Sequence, residues 1–276
     1  MTKPRSTDPR LLRHPSQARW TPPASRADHQ VAIAGQERPS HPSGAARYGD
    51  HRRLQAKYAE LHAHSAFSFL DGASQPADLA YRAAELGLSA MALTDHDGLY
   101  GAVQFATAAR EVGLPTVFGS ELTLGAGPEA VGADDPPGTH LLVLARGPTG
   151  YKRLSRSIAE AYLAVGEKGP PRYNLEDLAA LGRGEWLVAT GCRKGAVRQA
   201  LAAGGPRAGA QELARLVALF GRDNVAVEIT ASGDPADPAR NAALAELASA
   251  ARVPLIATGN VHYARVREFP LASAMA

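Results

Sequence analysis

From residue 58 onward the chain alternates between two hydrophobic rhythms. Short apolar runs of strand length are followed by Ala/Leu-rich stretches with a helical period. The strand-like runs are YAELHAH (58–64), LSAMALTDHD (88–97), LPTVFGSELTL (114–124), HLLVLAR (140–146), EWLVATGC (185–192), NVAVEIT (224–230) and VPLIATGNVHY (253–263). Between them lie predicted helices at 76–87, 99–113, 147–163, 194–204, 208–221 and 237–252. Pro76 opens the first of these and Gly87 stops it. A Gly/Pro/Asp-rich loop spans 125–138. About seven βα units with no hairpin signal predict an α/β fold on a parallel sheet, closed into a barrel or open and doubly wound.

Residues 1–57 lack this rhythm. They contain seven prolines and few aliphatic residues, too little to offset the entropy of ordering. They are predicted to be a disordered extension, leaving 58–276 as the folded domain. Charge divides at the same place. The first 57 residues hold 11 Lys/Arg against 4 Asp/Glu, a balance of +7, and the remainder holds 19 against 23, a balance of −4. The net +3 therefore describes a basic tail on a mildly acidic body, not a basic binding face on the folded part. Aromatic residues are 6% of the chain, so the core must be built mainly of Ala, Leu and Val. A single cysteine, Cys192, cannot form an internal disulfide, which predicts a reducing, cytoplasmic setting. No apolar run is long enough to predict a membrane span.

The polar residues carry the chemistry. The body has five histidines, His62, His64, His96, His140 and His262. With Asp95, Glu121, Cys192 and Asn260 they fall at or near strand ends, and His140 differs in opening its strand. In parallel α/β folds the carboxyl ends of the strands form the active face. Side chains at i and i+2 of a strand point the same way, about 6.6–6.8 Å apart, so His62 and His64 can converge on one cation. Asp71 follows in a loop with DG turn character and can fold back over the same face. Taken singly, each feature has an ordinary structural explanation. Their collection at strand termini points to a shared metal site. Mixed imidazole, carboxylate and thiolate donors suit zinc first, then manganese or iron. The donors exceed four, so a cluster of two or three ions bridged by Glu121 is expected. Such clusters activate water and clamp phosphate oxygens in hydrolysis.

The segments LHAHSAFSFLDG, LTDHDGLYG, FGSELTL, TGCRKG and ATGNVHY resemble, in order, the motifs of the PHP (polymerase and histidinol phosphatase) domain. The stretch from LDGASQPADL to GSELTL is similar, more narrowly, to the N-terminal domain of bacterial error-prone DNA polymerases of the polymerase III alpha type. This resemblance implies a distorted (β/α)7 barrel and a cluster of up to three metal ions. It implies His62, His64, Asp71, His96, Glu121, His140, Cys192 and His262 as ligands, with Asp95 as a support. The last motif is usually Asp-x-His and here reads Asn260-x-His262, so the site touching Asn260 is expected to hold its cation weakly. The resemblance further implies an N-terminal piece of a longer chain without the palm aspartates that add nucleotides. DNA, the remainder of the polymerase and other replication or translesion proteins are its implied partners. The implied setting is replication and damage-associated repair synthesis, with possible 3′–5′ exonuclease-like hydrolysis in this domain. The alternatives are a stand-alone phosphoesterase of the histidinol-phosphatase type and a non-catalytic scaffold stabilised by metal.

Overall fold

The computed structural model describes residues 57–127, 138–166 and 169–275. The disordered tail predicted for 1–57 lies, apart from Lys57, outside the described residues.

Seven strands form one sheet in sequence order: β1 (Ala59–Glu60), β2 (Ala90–Leu93), β3 (Thr116–Leu124), β4 (Thr139–Ala145), β5 (Trp186–Ala189), β6 (Val225–Thr230) and β7 (Leu255–Thr258). The sheet curls until its edges meet. Just beyond β1 and β7, Ala63 bridges Val261 in parallel. His64 N donates to Val261 O at 2.8 Å, and Val261 N donates to His62 O at 2.9 Å. The result is a nearly closed seven-stranded barrel, in keeping with the distorted (β/α)7 expectation.

Among the described residues, seven helices accompany it: α1 (Pro76–Glu85), α2 (Ala102–Glu111), α3 (Gly147–Leu163), α4 (Leu175–Gly182), α5 (Ala196–Phe220), α6 (Asp237–Ala251) and α7 (Phe269–Met275). The predicted pair at 194–204 and 208–221 is one run broken at Gly205, whose φ of 72° leaves the helical region just before Pro206. Helix α4 went unpredicted, although its capping signal is present. The Asn174 side chain accepts from Asp177 N at 2.9 Å.

The all-parallel expectation is corrected at β4. That strand is antiparallel to both β3 and β5, so β3 and β4 form a hairpin without a crossover helix. Their connection is the loop predicted at 125–138, of which 128–137 lie outside the described residues. A Gly/Pro-rich stretch of that length hides a hairpin, because the usual signal is a two-residue turn.

The barrel wall is largely Ala, Leu and Val. Leu122, Leu142, Val143, Val188, Ala189, Val225, Ala226 and Val227 are buried. Two large rings anchor the helix layer. Trp186 donates its indole N–H to Gly150 O at 2.9 Å, and Phe105 packs in the cluster under α1 and α2. Burying such side chains contributes about 1.5–3 kcal/mol each.

Candidate metal centre

The reversed β4 decides where the histidines meet. The carboxyl ends of the parallel strands share one mouth of the barrel, and an antiparallel strand starts there. His140, near the start of β4, therefore joins the same mouth as residues that follow β1, β2 and β7. Its register partner is Thr123, two residues beyond Glu121 on β3. Glu121 itself sits inside a nine-residue strand, not at its end. β3 is long because its first half pairs with β2 and its second half with β4.

Glu121 is the hub. Its Oε1 lies 3.4 Å from His62 Nε2. Its Oε2 lies 3.0 Å from His140 Nδ1, 3.5 Å from His64 Nε2 and 3.7 Å from His96 Nδ1. Asp71 is a second, outer hub. One oxygen is 3.2 Å from His262 Nε2, and the other is 3.3 Å from His96 Nε2 and 3.8 Å from His64 Nδ1. The imidazoles lie face to face: His64 stacks on His96 with centroids 4.6 Å apart and on His262 at 5.1 Å. His62 is 0% exposed and His64 1%.

The surroundings hold these groups in place. Asp95 accepts from Ser65 N at 2.6 Å, Ser65 Oγ at 2.8 Å and Ser68 Oγ at 2.9 Å. It thereby ties the 65–70 loop to the end of β2. Gly72 closes that loop, because a Cβ there would lie 2.0 Å from Ser65 O. Glu228 on β6 was not read from the sequence. It lies 2.7 Å from His62 Nδ1 and also accepts from the Thr258 hydroxyl. A glutamate inside the buried run VAVEIT was the available signal, since a charge in a buried strand requires a partner.

The electrostatics follow from burial and crowding. Burial alone would hold His62 neutral, but Glu121 and Glu228 override it and raise its pKa well above the ordinary imidazole value. Burial, then the neighbouring His96 and His62, drive His64 in the opposite direction. Burial opposes ionisation of Glu121 and Asp71, yet the surrounding imidazoles keep both carboxylates well below their usual range. Burial, then Glu121, push the Cys192 thiol up, so it keeps its proton in the absence of a cation.

The residues fit divalent cations. Three donor sets converge, each with ligand atoms within 4.8 Å of one another: His62/His64/Glu121, His96/Glu121/His140 and His64/Asp71/His262. Asp71 Oδ2 and Glu121 Oε1 are buried without a well-aligned hydrogen bond. Buried anionic oxygens left in that state are costly unless a cation meets them. Cys192 stands at the margin, its Sγ 3.7 Å from His140 Nδ1 and in none of the three sets. Asn260 adopts left-handed backbone at φ 46°, and its Oδ1 is buried with no hydrogen-bond partner.

Fold and site together place the chain among β/α barrels with a histidine–carboxylate centre at one mouth. Two solved structures share the fold. One, from Bifidobacterium adolescentis, is described as a candidate metal-dependent phosphoesterase; it is 18% identical, with a TM-score of 0.52 over 75% of this chain and 88% of its own. The other is an amidohydrolase from Chromobacterium violaceum, 17% identical, with a TM-score of 0.52 over 79% of this chain and 96% of its own. The chain belongs to the PHP domain family, which matches residues 60–232. It is 58% identical over 224 residues to an error-prone DNA polymerase of Mycolicibacterium paratuberculosis, covering 81% of this chain and 20% of that protein. It is 54% identical over 254 residues to the one from Mycobacterium tuberculosis strain H37Rv, covering 92% of this chain and 23% of that protein. The chain thus spans about a fifth of the length of these curated relatives. Among the described residues, no helix is long and apolar enough to cross a membrane.

Proposed function

We propose that this chain is the PHP module of an error-prone DNA polymerase of the polymerase III alpha type, working on DNA in the bacterial cytoplasm during replication and damage-associated synthesis. In this reading the module holds two or three divalent cations, zinc first and manganese or iron next. The ligands are His62, His64, Asp71, His96, Glu121, His140 and His262, with Cys192 at the edge. The observation that carries the reading is Glu121, one buried carboxylate within 3.7 Å of four imidazoles.

Bound cations would supply the Lewis acidity and water activation that phosphodiester hydrolysis needs. The chain's own residues prepare the site. Glu228 fixes the His62 ring through Nδ1 and leaves Nε2 facing Glu121. Glu121 turns Oε1 toward His62 and Oε2 toward His140, His64 and His96. Asp71 lends negative charge to the outer set. Hydrolysis of a phosphodiester in a 3′–5′ exonuclease manner is the activity these parts suit, and it is expected to be weak. Asn260 is the reason, since a neutral amide adds no charge to hold a cation. The same residue favours a second reading, in which the metals stabilise the fold without catalysis.

The test pairs elemental analysis with hydrolysis of single-stranded DNA and of a chromogenic phosphodiester on the same preparation. The wild type should carry divalent metal and cut both substrates, and His64→Ala should lose both properties. Equal rates in the two proteins would defeat the catalytic reading. Asn260→Asp should raise the metal content, and no increase would defeat this account of that position.

A further inference from the structure

The 65–70 loop does more than deliver Asp71. Its backbone is tied on both sides of the tip: Ser68 N donates to Ser65 O at 2.9 Å, Asp71 N to Ser68 O at 3.1 Å, and Gly72 N to Ser68 O at 2.9 Å. Asp95 holds its serines from below. At the tip of this turn Phe69 is 83% exposed, and Leu70 takes a left-handed φ of 62°. A bulky side chain in that backbone region is uncommon, and such outliers cluster where a loop does work. An apolar ring held out in water gains nothing for folding.

Phe69 is not alone. Phe67 in the same loop pairs with Tyr100, centroids 6.4 Å apart. Tyr100 follows the LTDHDG motif by two residues, packs against Gly98 and is 60% exposed. Tyr162, at the end of α3, is 36% exposed, and burial, then the nearby Asp97 and Tyr100, push its hydroxyl pKa up. Three elements thus bring aromatic faces to the border of the mouth that holds Asp71 and His96. These rings come from a chain with only 6% aromatic residues.

Resting on the phosphodiester reading above, we propose that Phe69, Tyr100 and Tyr162 form a stacking platform for unpaired bases. It would select a single-stranded nucleic-acid end and set its phosphate toward the metal centre. The chemistry divides between the parts. Rings accept any base by its π-face, which gives affinity without sequence preference. The cation sets beside them take the anionic backbone. A small phosphate ester without a base would use only the second part. The platform is continuous with the centre through the loop that carries both Phe69 and Asp71, which favours a substrate strand over a protein partner as its occupant.

The test is binding, independent of hydrolysis. A short oligothymidine ending in 3′ 2-aminopurine is titrated with the full 276-residue chain, and the probe's fluorescence reports stacking. The wild type should quench it, and a blunt duplex of the same sequence should bind more weakly. Phe69→Ala and Tyr100→Ala should each weaken binding about tenfold and reduce the quenching. Phe69→Trp should preserve both. Phe69 is so exposed that its alanine variant should fold, and circular dichroism checks this. Absence of quenching in the wild type, or quenching that survives both alanine changes, overturns the proposal. Quenching without any phosphodiester hydrolysis would leave the platform standing and remove the catalytic reading. Hydrolysis without quenching would do the reverse.

Discussion

Asp71 is the most exposed carboxylate of the centre and the easiest to question alone. It touches three imidazoles, and these hold its carboxyl below the usual range although burial opposes ionisation. A depressed carboxylate contributes stability that is present above its unfolded pKa, about 3.9, and is lost as pH falls through the lower folded value. In the metal-free protein, Asp71→Asn should therefore be less stable than wild type at pH 6. The gap should begin to narrow as pH falls below about 4 and should go on narrowing below about pH 3, as measured by urea unfolding at each pH. A gap that is constant with pH would mean that the ion pairs with His96 and His262 do not bear on folding. Glu228 teaches a different lesson at this scale. Its signal in the sequence was a charge in an apolar strand, but its partner, His62, lies 166 residues away. No spacing rule links the two.

At the level of elements, the site depends on a few connections that the hydrophobic rhythm does not encode. Strands and helices were legible because burial imposes periods of about 2 and 3.6 on the residue pattern. Direction was not legible. An antiparallel β4 has the same alternation as a parallel one, so the pattern does not say which mouth of the barrel His140, at the start of its strand, faces. The 65–72 loop is legible in part: DG marks a turn, but the close approach to Ser65 O does not follow from it. Gly72→Ala should force that turn open, because its Cβ would sit 2.0 Å from a backbone oxygen. The expected cost is about 1–3 kcal/mol in urea unfolding. Asp71 should move with the turn, so metal content measured on the same protein should fall as well. A variant with wild-type stability and metal content would show that the loop relaxes at no cost.

For the barrel as a whole, the seam is the informative place. Short backbone pairing around Ala63 and Val261, together with Gly259 N donating to Glu60 Oε2 at 2.8 Å, joins the start of the sheet to its end. Across the same seam, Asp71 and His64 from the first segment meet His262 from the last. A cation in that set would act as a staple between the two ends of the domain. Ligands that bind only the folded state stabilise it by about 2.7 kcal/mol at a hundredfold excess over Kd. For a domain of this size that corresponds to roughly 5–10 °C in Tm. Chelator should lower the Tm by this order, and re-addition of zinc or manganese should restore it, as followed by scanning calorimetry. An unchanged Tm would mean that the seam holds without metal.

The sequence by itself determined the seven strands, most of the helices, the charge difference between residues 1–57 and the rest, and which side chains have the chemistry of metal ligands. These are properties of local pattern and of residue chemistry, and they survive in a linear reading. The tertiary structure alone decided that β4 runs backwards, that Glu121 stands at the centre of four imidazoles, and that Glu228 orients His62. It also decided that Cys192 stands apart from the three donor sets and that the Asn260 Oδ1 is buried without a hydrogen-bond partner. The physical reason is that convergence in space depends on strand direction and barrel closure. Those are settled by how the whole sheet buries its surface and pairs its edges, not by any short stretch of the chain.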